Sequence, residues 1–244
     1  MAARGFGSAS DAYERGRPSY PDGAVQLLVH ELALGASSIV VDLAAGTGKL
    51  TRLLVPSGAR LVAVEPVASM RALLVEVVPA AVVVAATAEE LALASGSVDA
   101  VMVAQAFHWF RVDEALAEVA RVLRPGGGMA LLWNERDESV PWVAELSSLV
   151  RWDQRPVPAY EGIDWRAAVA ATGNFGTTAR ATFAIDQEID AGILVDRVLS
   201  TSYVAAWPAP DQDRLAGEVR RLVAGFPERF VLPYRTTVYW CRRR

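Results

Sequence analysis

The sequence has little of what covalent and metal chemistry needs. Cys241 is its one cysteine, which excludes a disulfide within the chain and any multi-cysteine metal site. His30 and His108 are its two histidines, too few for a histidine cluster, so no metal is expected. Lys49 is its one lysine, read as a coding bias rather than chemistry. No apolar run reaches the ~18 residues of a membrane-spanning helix. The opening stretch MAARGFGSASDAYERGRPSYP has no apolar segment of signal-peptide type. The net charge is -4, and the terminal arginines 242–244 are a short run read as solvated. A dedicated nucleic-acid binder shows a basic face. These absences lead us to expect a cytoplasmic protein, monomer or homodimer, with neither nucleic acid nor membrane as partner.

What is present is core-forming. Of 244 residues, 52% are hydrophobic and 21% charged, enough for a large interior and against disorder. Apolar spacing predicts a helix over 21–34, opened by Pro21 and Asp22 and closed by Gly35. Short β-branched runs at 38–44, 60–65, 81–86, 97–106 and 129–133 predict strands, the third of them buried. Helical spacing returns at 49–55, 68–77 and 112–123, with stops at Pro56, Pro79 and the Pro125–Gly128 run. Alternating strand and helix over the first ~135 residues predicts a parallel sheet with helices on both faces. The rhythm then changes. Residues 140–171 carry Trp142, Trp152 and Trp165, residues 179–185 read as a strand, 190–225 as helices broken at 207–210, and 231–240 as a final strand.

The stretch VDLAAGTGKLT at 41–51 is a strand running into a glycine loop. It is not a P-loop: Gly48-Lys49 is followed by Leu50, and Leu43 stands where the first glycine belongs. It lacks the third glycine of the dinucleotide fingerprint. Asp42 at the strand end decides the matter. A carboxylate there repels phosphate and suits a ligand with a positive amine; the alternative is that Asp42 caps the following loop or helix. Glu65 ends the next strand, where an acid can accept from ribose hydroxyls; its alternative is a surface glutamate.

These residues, with VEP at 64–66, ATAEELAL at 86–93, SVDAV at 97–101, AQAFHWF at 104–110 and EVARVLRPGGGMALLWN at 118–134, resemble a class I S-adenosylmethionine-dependent methyltransferase. With YERGRPSYP at 13–21 the chain is similar to bacterial small-molecule, trans-aconitate-like members. The resemblance covers 13 to about 137, slightly over half of the 244 residues. It implies an α/β, Rossmann-like, seven-stranded and mostly parallel sheet, its last strand antiparallel between the fifth and sixth, with a helical substrate cap. As one domain the chain then divides into a lid and first helix (1–36), a cofactor core (37–137), a cap with one core strand (138–228) and the final strand (229–244).

The resemblance also implies roles. Asp42, Ala44, Gly46 and Gly48 wrap the methionine part of S-adenosylmethionine, whose product is S-adenosylhomocysteine. Glu65 takes the ribose and Pro66 lines the adenine. Thr87, Ala88 and Glu89 meet the adenine edge, where many relatives carry Asp at the Thr87 position; the Thr87 hydroxyl or Ala88 backbone stands in. Ala104 and Gln105 lie beside the sulfonium. Tyr13, Arg17 and Tyr20 form a lid, or pack at the helix start. Many relatives have glycine at the Ala44 position. His108 is the candidate general base, its alternative a pocket-shaping role. Trp109, Trp133 and Asn134 line the acceptor pocket or pack the core. Arg136 and Asp137 orient a charged acceptor or pair at the surface. The expected activity is in-line methyl transfer to an O or N nucleophile of a small organic molecule, without a covalent enzyme intermediate. Rival readings are a nucleic-acid or protein methyltransferase and a non-catalytic binder of the cofactor or its product.

Overall fold

The computed structural model describes residues 17–151, 164–201 and 203–244. Its sheet begins with β1 (Ile39–Leu43), β2 (Arg60–Val64), β3 (Val82–Val84), β4 (Val98–Ala104) and β5 (Leu123–Arg136), followed by β6 (Ala179–Ile189) and β7 (Phe230–Arg242). The order across the sheet is β3-β2-β1-β4-β5-β7-β6. The β3–β2, β2–β1, β1–β4 and β4–β5 pairs are parallel. The last strand enters antiparallel between β5 and β6. Around them lie α1 (Asp22–Glu31), α2 (Lys49–Leu54), α3 (Ala68–Val77), α4 (Val112–Val122), α5 (Pro141–Leu149), α6 (Trp165–Ala171), α7 (Ala191–Leu199) and α8 (Ala209–Leu222). Among the described residues, no helix is long and apolar enough to cross a membrane.

The β-branched runs become central strands because both faces of the sheet are covered. Val41, Leu43, Val101, Val103, Leu131 and Trp133 pack into one apolar cluster. Val40, Ala100, Met102, Ala130 and Leu132 pack into another. Alternate residues of one strand thus supply opposite faces, the period-two consequence of the pleat.

The described residues group into two compact units. The first holds 19–134, 236–244 and the described part of 159–183, with both clusters above. The second holds 17–18, 135–151 and the described residues of 184–235. Its own core joins Val143, Leu146 and Val150 of α5 and its C-cap to Leu194 and Val198 of α7, Leu215 and Val219 of α8, and Leu232 of β7. The tryptophans past residue 135 therefore part company. Trp142 packs in the second unit against Phe226 and Phe230. Trp165 packs in the first, against Trp133 and Tyr239. Trp152 lies outside the described residues.

Several boundaries differ from expectation, each for a local reason. Helix α1 stops at Glu31 because Ala33 turns left-handed at φ 54°. Strand β3 is not buried: it is the sheet edge, and Val82 is 62% exposed. The Pro125–Gly128 run does not precede β5 but lies within it. It forms a bulge, with Leu123 opposite Val98 and Gly128 already opposite Ala100. The terminal arginines are not simply solvated. Arg242 donates to the carbonyls of Gly126 and Glu31, Arg243 to Leu123 and Arg244 to Gly173. They bond carbonyls of the β5 bulge, of the α1 end and of the turn after α6.

Gly128 marks the tightest packing in that bulge: a Cβ there would meet Leu32 Cδ2 at 2.4 Å, and Leu32 is buried. Gly128→Ala should lower unfolding stability by ~1–3 kcal/mol through overpacking. An unshifted denaturant midpoint would show that Leu32 has room to move.

Candidate functional site

The site assembles at the carboxyl ends of β1, β2 and β4, where open α/β sheets receive ligands. After β1 the chain takes three left-handed steps, at Ala44 (φ 57°), Gly46 (φ 58°) and Gly48 (φ 84°), before α2 begins. Such values favour glycine, and an alanine pays of order 1 kcal/mol to hold one. A glycine at the Ala44 position, as in many relatives, would relieve backbone strain. At Gly48 the demand is also steric: a Cβ would meet Leu74 Cδ1 at 2.4 Å and Val78 Cγ2 at 2.9 Å. Glycine there lets α3 lie against the loop.

Asp42 is buried, 2% exposed. Its Oδ2 accepts from the Thr51 hydroxyl of α2 at 2.5 Å, while its Oδ1 is buried and has no hydrogen-bond partner. The helix-tying reading of Asp42 and the ligand-facing reading thus fall on different oxygens. Desolvation pushes its carboxyl up to about 7; the Thr51 bonds lower it and the neighbouring Glu65 raises it.

Glu65 is likewise buried. Its Oε2 accepts from the Gly46 amide at 2.9 Å and its Oε1 from the Val67 amide at 2.8 Å. It pins the glycine loop to the end of β2. Each oxygen retains a second lone-pair direction. Arg71 of α3 braces the same turn, donating to the carbonyls of Glu65 (2.9 Å) and Pro66 (2.6 Å). Pro66 is exposed and Val67 is 42% exposed, so an open apolar step adjoins the acid. Past β3, Ala88 is buried in the core. Burial pushes the Glu89 carboxyl up, but the Arg111 amide, at 2.9 Å, and the Thr87 hydroxyl outweigh it and hold it below its ordinary value. The Thr87 hydroxyl donates to Glu89 and keeps its acceptor lone pairs.

At the end of β4, Ala104 is half-buried. Gln105 is left-handed at φ 58°, a costly conformation of the kind held at functional turns. Its amide donates to Leu132 O at 2.9 Å, and its Nε2 to Asn134 O at 3.0 Å. Asn134 is a junction. Its Nδ2 donates to Ser19 O (2.9 Å) and its Oδ1 accepts from the Thr236 hydroxyl (2.6 Å). Asn134 thus holds strands and the N-terminal segment together, and each end of its amide keeps a second hydrogen-bonding direction. Trp133 is 1% exposed in the core, so it packs and does not line an open pocket. Trp109 is the opposite case, 54% exposed. It adjoins His108, half-buried in the 3-10 turn Phe107–Trp109, with ring centroids 5.2 Å apart.

Of the expected lid, Tyr20 is buried in a core cluster beside α1, and Arg17 belongs to the second unit. Tyr13 lies outside the described residues. The first unit therefore brings together Asp42, the 44–48 loop, Glu65, Pro66, the 87–89 turn and Gln105. Sequence reading missed Thr51, Arg71 and Thr236. Thr51 had a signal, since it stands in the first helix turn after the loop, where it can reach back to the strand end. Arg71 and Thr236 had none short of the fold.

Residues 41–131 match the family model described as a methyltransferase domain. An uncharacterized methyltransferase of Mycobacterium tuberculosis is 43% identical over 222 residues, covering 91% of this chain and 86% of the relative. An uncharacterized methyltransferase-like protein of Schizosaccharomyces pombe is 30% identical over 217 residues, covering 88% and 84%. Among solved structures, a putative type II methyltransferase from Anaeromyxobacter dehalogenans is similar in fold, with a TM-score of 0.64 at 23% identity, covering 93% of this chain and 96% of that one.

The burial of Asp42 has a pH signature. Its carboxyl lies at about 7 when folded, against an ordinary 3.8. Between those values the native state keeps a proton that the unfolded chain has lost. The contribution of Asp42 to stability is therefore complete below about pH 4 and is lost as pH rises toward 7. Asp42→Asn should gain on the wild type in unfolding free energy across that window, as denaturant titrations at stepped pH would read. A difference independent of pH would mean that the carboxyl is already ionised.

Proposed function

The chain belongs to the class I S-adenosylmethionine-dependent methyltransferases, and from that premise we propose that it moves the methyl group onto an oxygen or nitrogen of a small organic molecule. The residues fit the cofactor on one observation above all: a buried carboxylate oxygen, Asp42 Oδ1, has no partner and lies near a second acid, Glu65. Two carboxylates around a bare-backbone loop favour a cationic ligand and disfavour a phosphorylated one.

In this reading Asp42 receives the ammonium of the methionine part. The backbone of Ala44, Gly46 and Gly48 allows close approach. Glu65 accepts from the ribose hydroxyls with the lone pairs its amide bonds leave free. Pro66 and Val67 form the adenine step, with Thr87, Ala88 and Glu89 at the ring edge, where the Thr87 hydroxyl oxygen or the Ala88 backbone accepts from the adenine amine. Ala104 and Gln105 flank the reacting end. When bound, the cofactor supplies a methyl group on a positively charged sulfur that leaves as a neutral thioether. The protein's share is to hold an incoming nucleophile in line and to keep water away. His108, beside the exposed Trp109, takes the proton of a hydroxyl or amine nucleophile as it attacks, and Trp109 offers the acceptor an aromatic face. The acidic balance of the chain, -4 overall, supports a small acceptor over nucleic acid.

Calorimetric titration with S-adenosylhomocysteine tests the cofactor residues. Asp42→Ala and Glu65→Ala should each weaken binding by more than about tenfold, the loss of a charge-assisted bond. Unchanged affinity in both would remove them from the site. His108→Ala should bind the product normally while its turnover in an acceptor screen falls by about 10²-fold or more. Normal turnover would retire His108 as the base.

A further inference from the structure

Thr51 ties the glycine loop to the central strand, and the cofactor reading gives it no part in binding. It lies in the first turn of α2 and is fully buried. Its hydroxyl donates to Asp42 Oδ2 at 2.5 Å, and its backbone amide acts on the same carboxyl. Asp42 Oδ1 is buried and has no hydrogen-bond partner. An ionised carboxylate accepts on both oxygens, so one half of this group is satisfied by the protein and the other is not. The division has a chemical consequence. With Oδ2 accepting from Thr51, the oxygen that carries the proton of the neutral acid is Oδ1, the same one that would meet a cation. Proton and cation compete for a single atom.

The charged groups on the elements around Asp42 leave that competition open. Glu65, at the end of β2, raises the Asp42 carboxyl, while its own oxygens accept from the Gly46 and Val67 amides. Arg60 stands at the other end of β2, opposite Ile39 and exposed. On β4, Asp99 lies at the far end, accepting from the Ile39 amide at 2.6 Å and paired with Arg124. On α3, Arg71 donates to the carbonyls of Glu65 and Pro66. Lys49 and Arg52 share α2 with Thr51, and neither moves the Asp42 carboxyl. Among the described residues, then, the Thr51 bonds are what favours the ionised form, against burial and Glu65.

We infer that Thr51 is a positioning residue for the cofactor: by occupying Asp42 Oδ2 it leaves Oδ1 to either a proton or the ligand's ammonium, so that seating the cofactor expels that proton to solvent. The ammonium rests on the S-adenosylmethionine reading; the competition for Oδ1 stands on the Asp42–Thr51 geometry. The balance is simple. A neutral acid and an ammonium become a carboxylate–ammonium pair, and one proton leaves. Affinity therefore rises with pH until the carboxyl is ionised before the ligand arrives, and Thr51 sets where that happens. The sulfur takes no part, so S-adenosylhomocysteine binds with the same linkage.

The test is calorimetry of S-adenosylhomocysteine binding to the full chain from about pH 5.5 to about pH 7.5, where the ligand's ammonium stays charged. Repeating it in two buffers of different ionisation enthalpy counts the protons. The wild type should gain up to about tenfold in affinity per pH unit, levelling toward the upper end, and release up to about one proton per ligand at the acid end. Thr51→Val keeps the amide and the branched shape and removes the hydroxyl alone. It should weaken binding by about tenfold near neutral pH, and its affinity should still be rising where the wild type has levelled. Thr51→Ser should restore both. Asp42→Asn should bind weakly and with no slope across the range. A flat wild-type affinity with no proton released overturns the proposal, and that measurement needs no variant to fold. A Thr51→Val deficit equal at every pH overturns it too, since a merely structural role would give that result. Tight but flat binding leaves the cofactor reading standing, whereas a wild type that takes no S-adenosylhomocysteine at any pH overturns that reading and this proposal together.

Discussion

The bond from the Thr51 hydroxyl to the buried Asp42 carboxyl holds the central strand to the helix beyond the glycine loop. Once those two ends are tied, the five residues between 43 and 49 must arch, and the left-handed steps at 44, 46 and 48 are the form the arch takes. Glu65 completes it from the neighbouring strand by holding the Gly46 amide. A carboxyl so placed is expensive to ionise. Loop geometry and the raised Asp42 carboxyl are thus two consequences of one burial.

A second layer of polar contacts keeps the strand ends in place. Gln105, bent left-handed after β4, reaches the backbone of Asn134. Asn134 in turn joins Ser19 and Thr236. These side chains hold one another, and through one another the ends of β4, β5 and β7.

Much of this was legible in the sequence because it depends on near neighbours. Strand and helix alternation, the strand-to-loop step at Asp42, and the acid that follows one β-α unit later are patterns in which order along the chain sets order in the sheet. The antiparallel insertion of the last strand came from resemblance, not from periodicity, since a run such as 231–240 says nothing about which neighbours it will choose. The errors have equally specific causes. Val82 to Val84 looks like a core strand because β-branched residues are common in cores, yet an edge strand has only one partner, and Val82 is left exposed. The terminal arginines look solvated because charge favours water, until backbone carbonyls distant in sequence are brought within reach of them. Trp133 and Asn134 stand at the right strand end for a pocket, but what each side chain meets depends on Trp165, Tyr239, Ser19 and Thr236, all distant in sequence.

The sequence by itself determined the fold class, the glycine loop and the two acids that flank it, because each follows from local spacing and the chemistry of single residue types. Only the tertiary structure decided which oxygen of Asp42 is free, that Ala44 is strained, and that Asn134 joins Ser19 to Thr236. Those facts are set by strand register and helix packing, in which residues a hundred positions apart become neighbours, and no local pattern encodes which of them will meet.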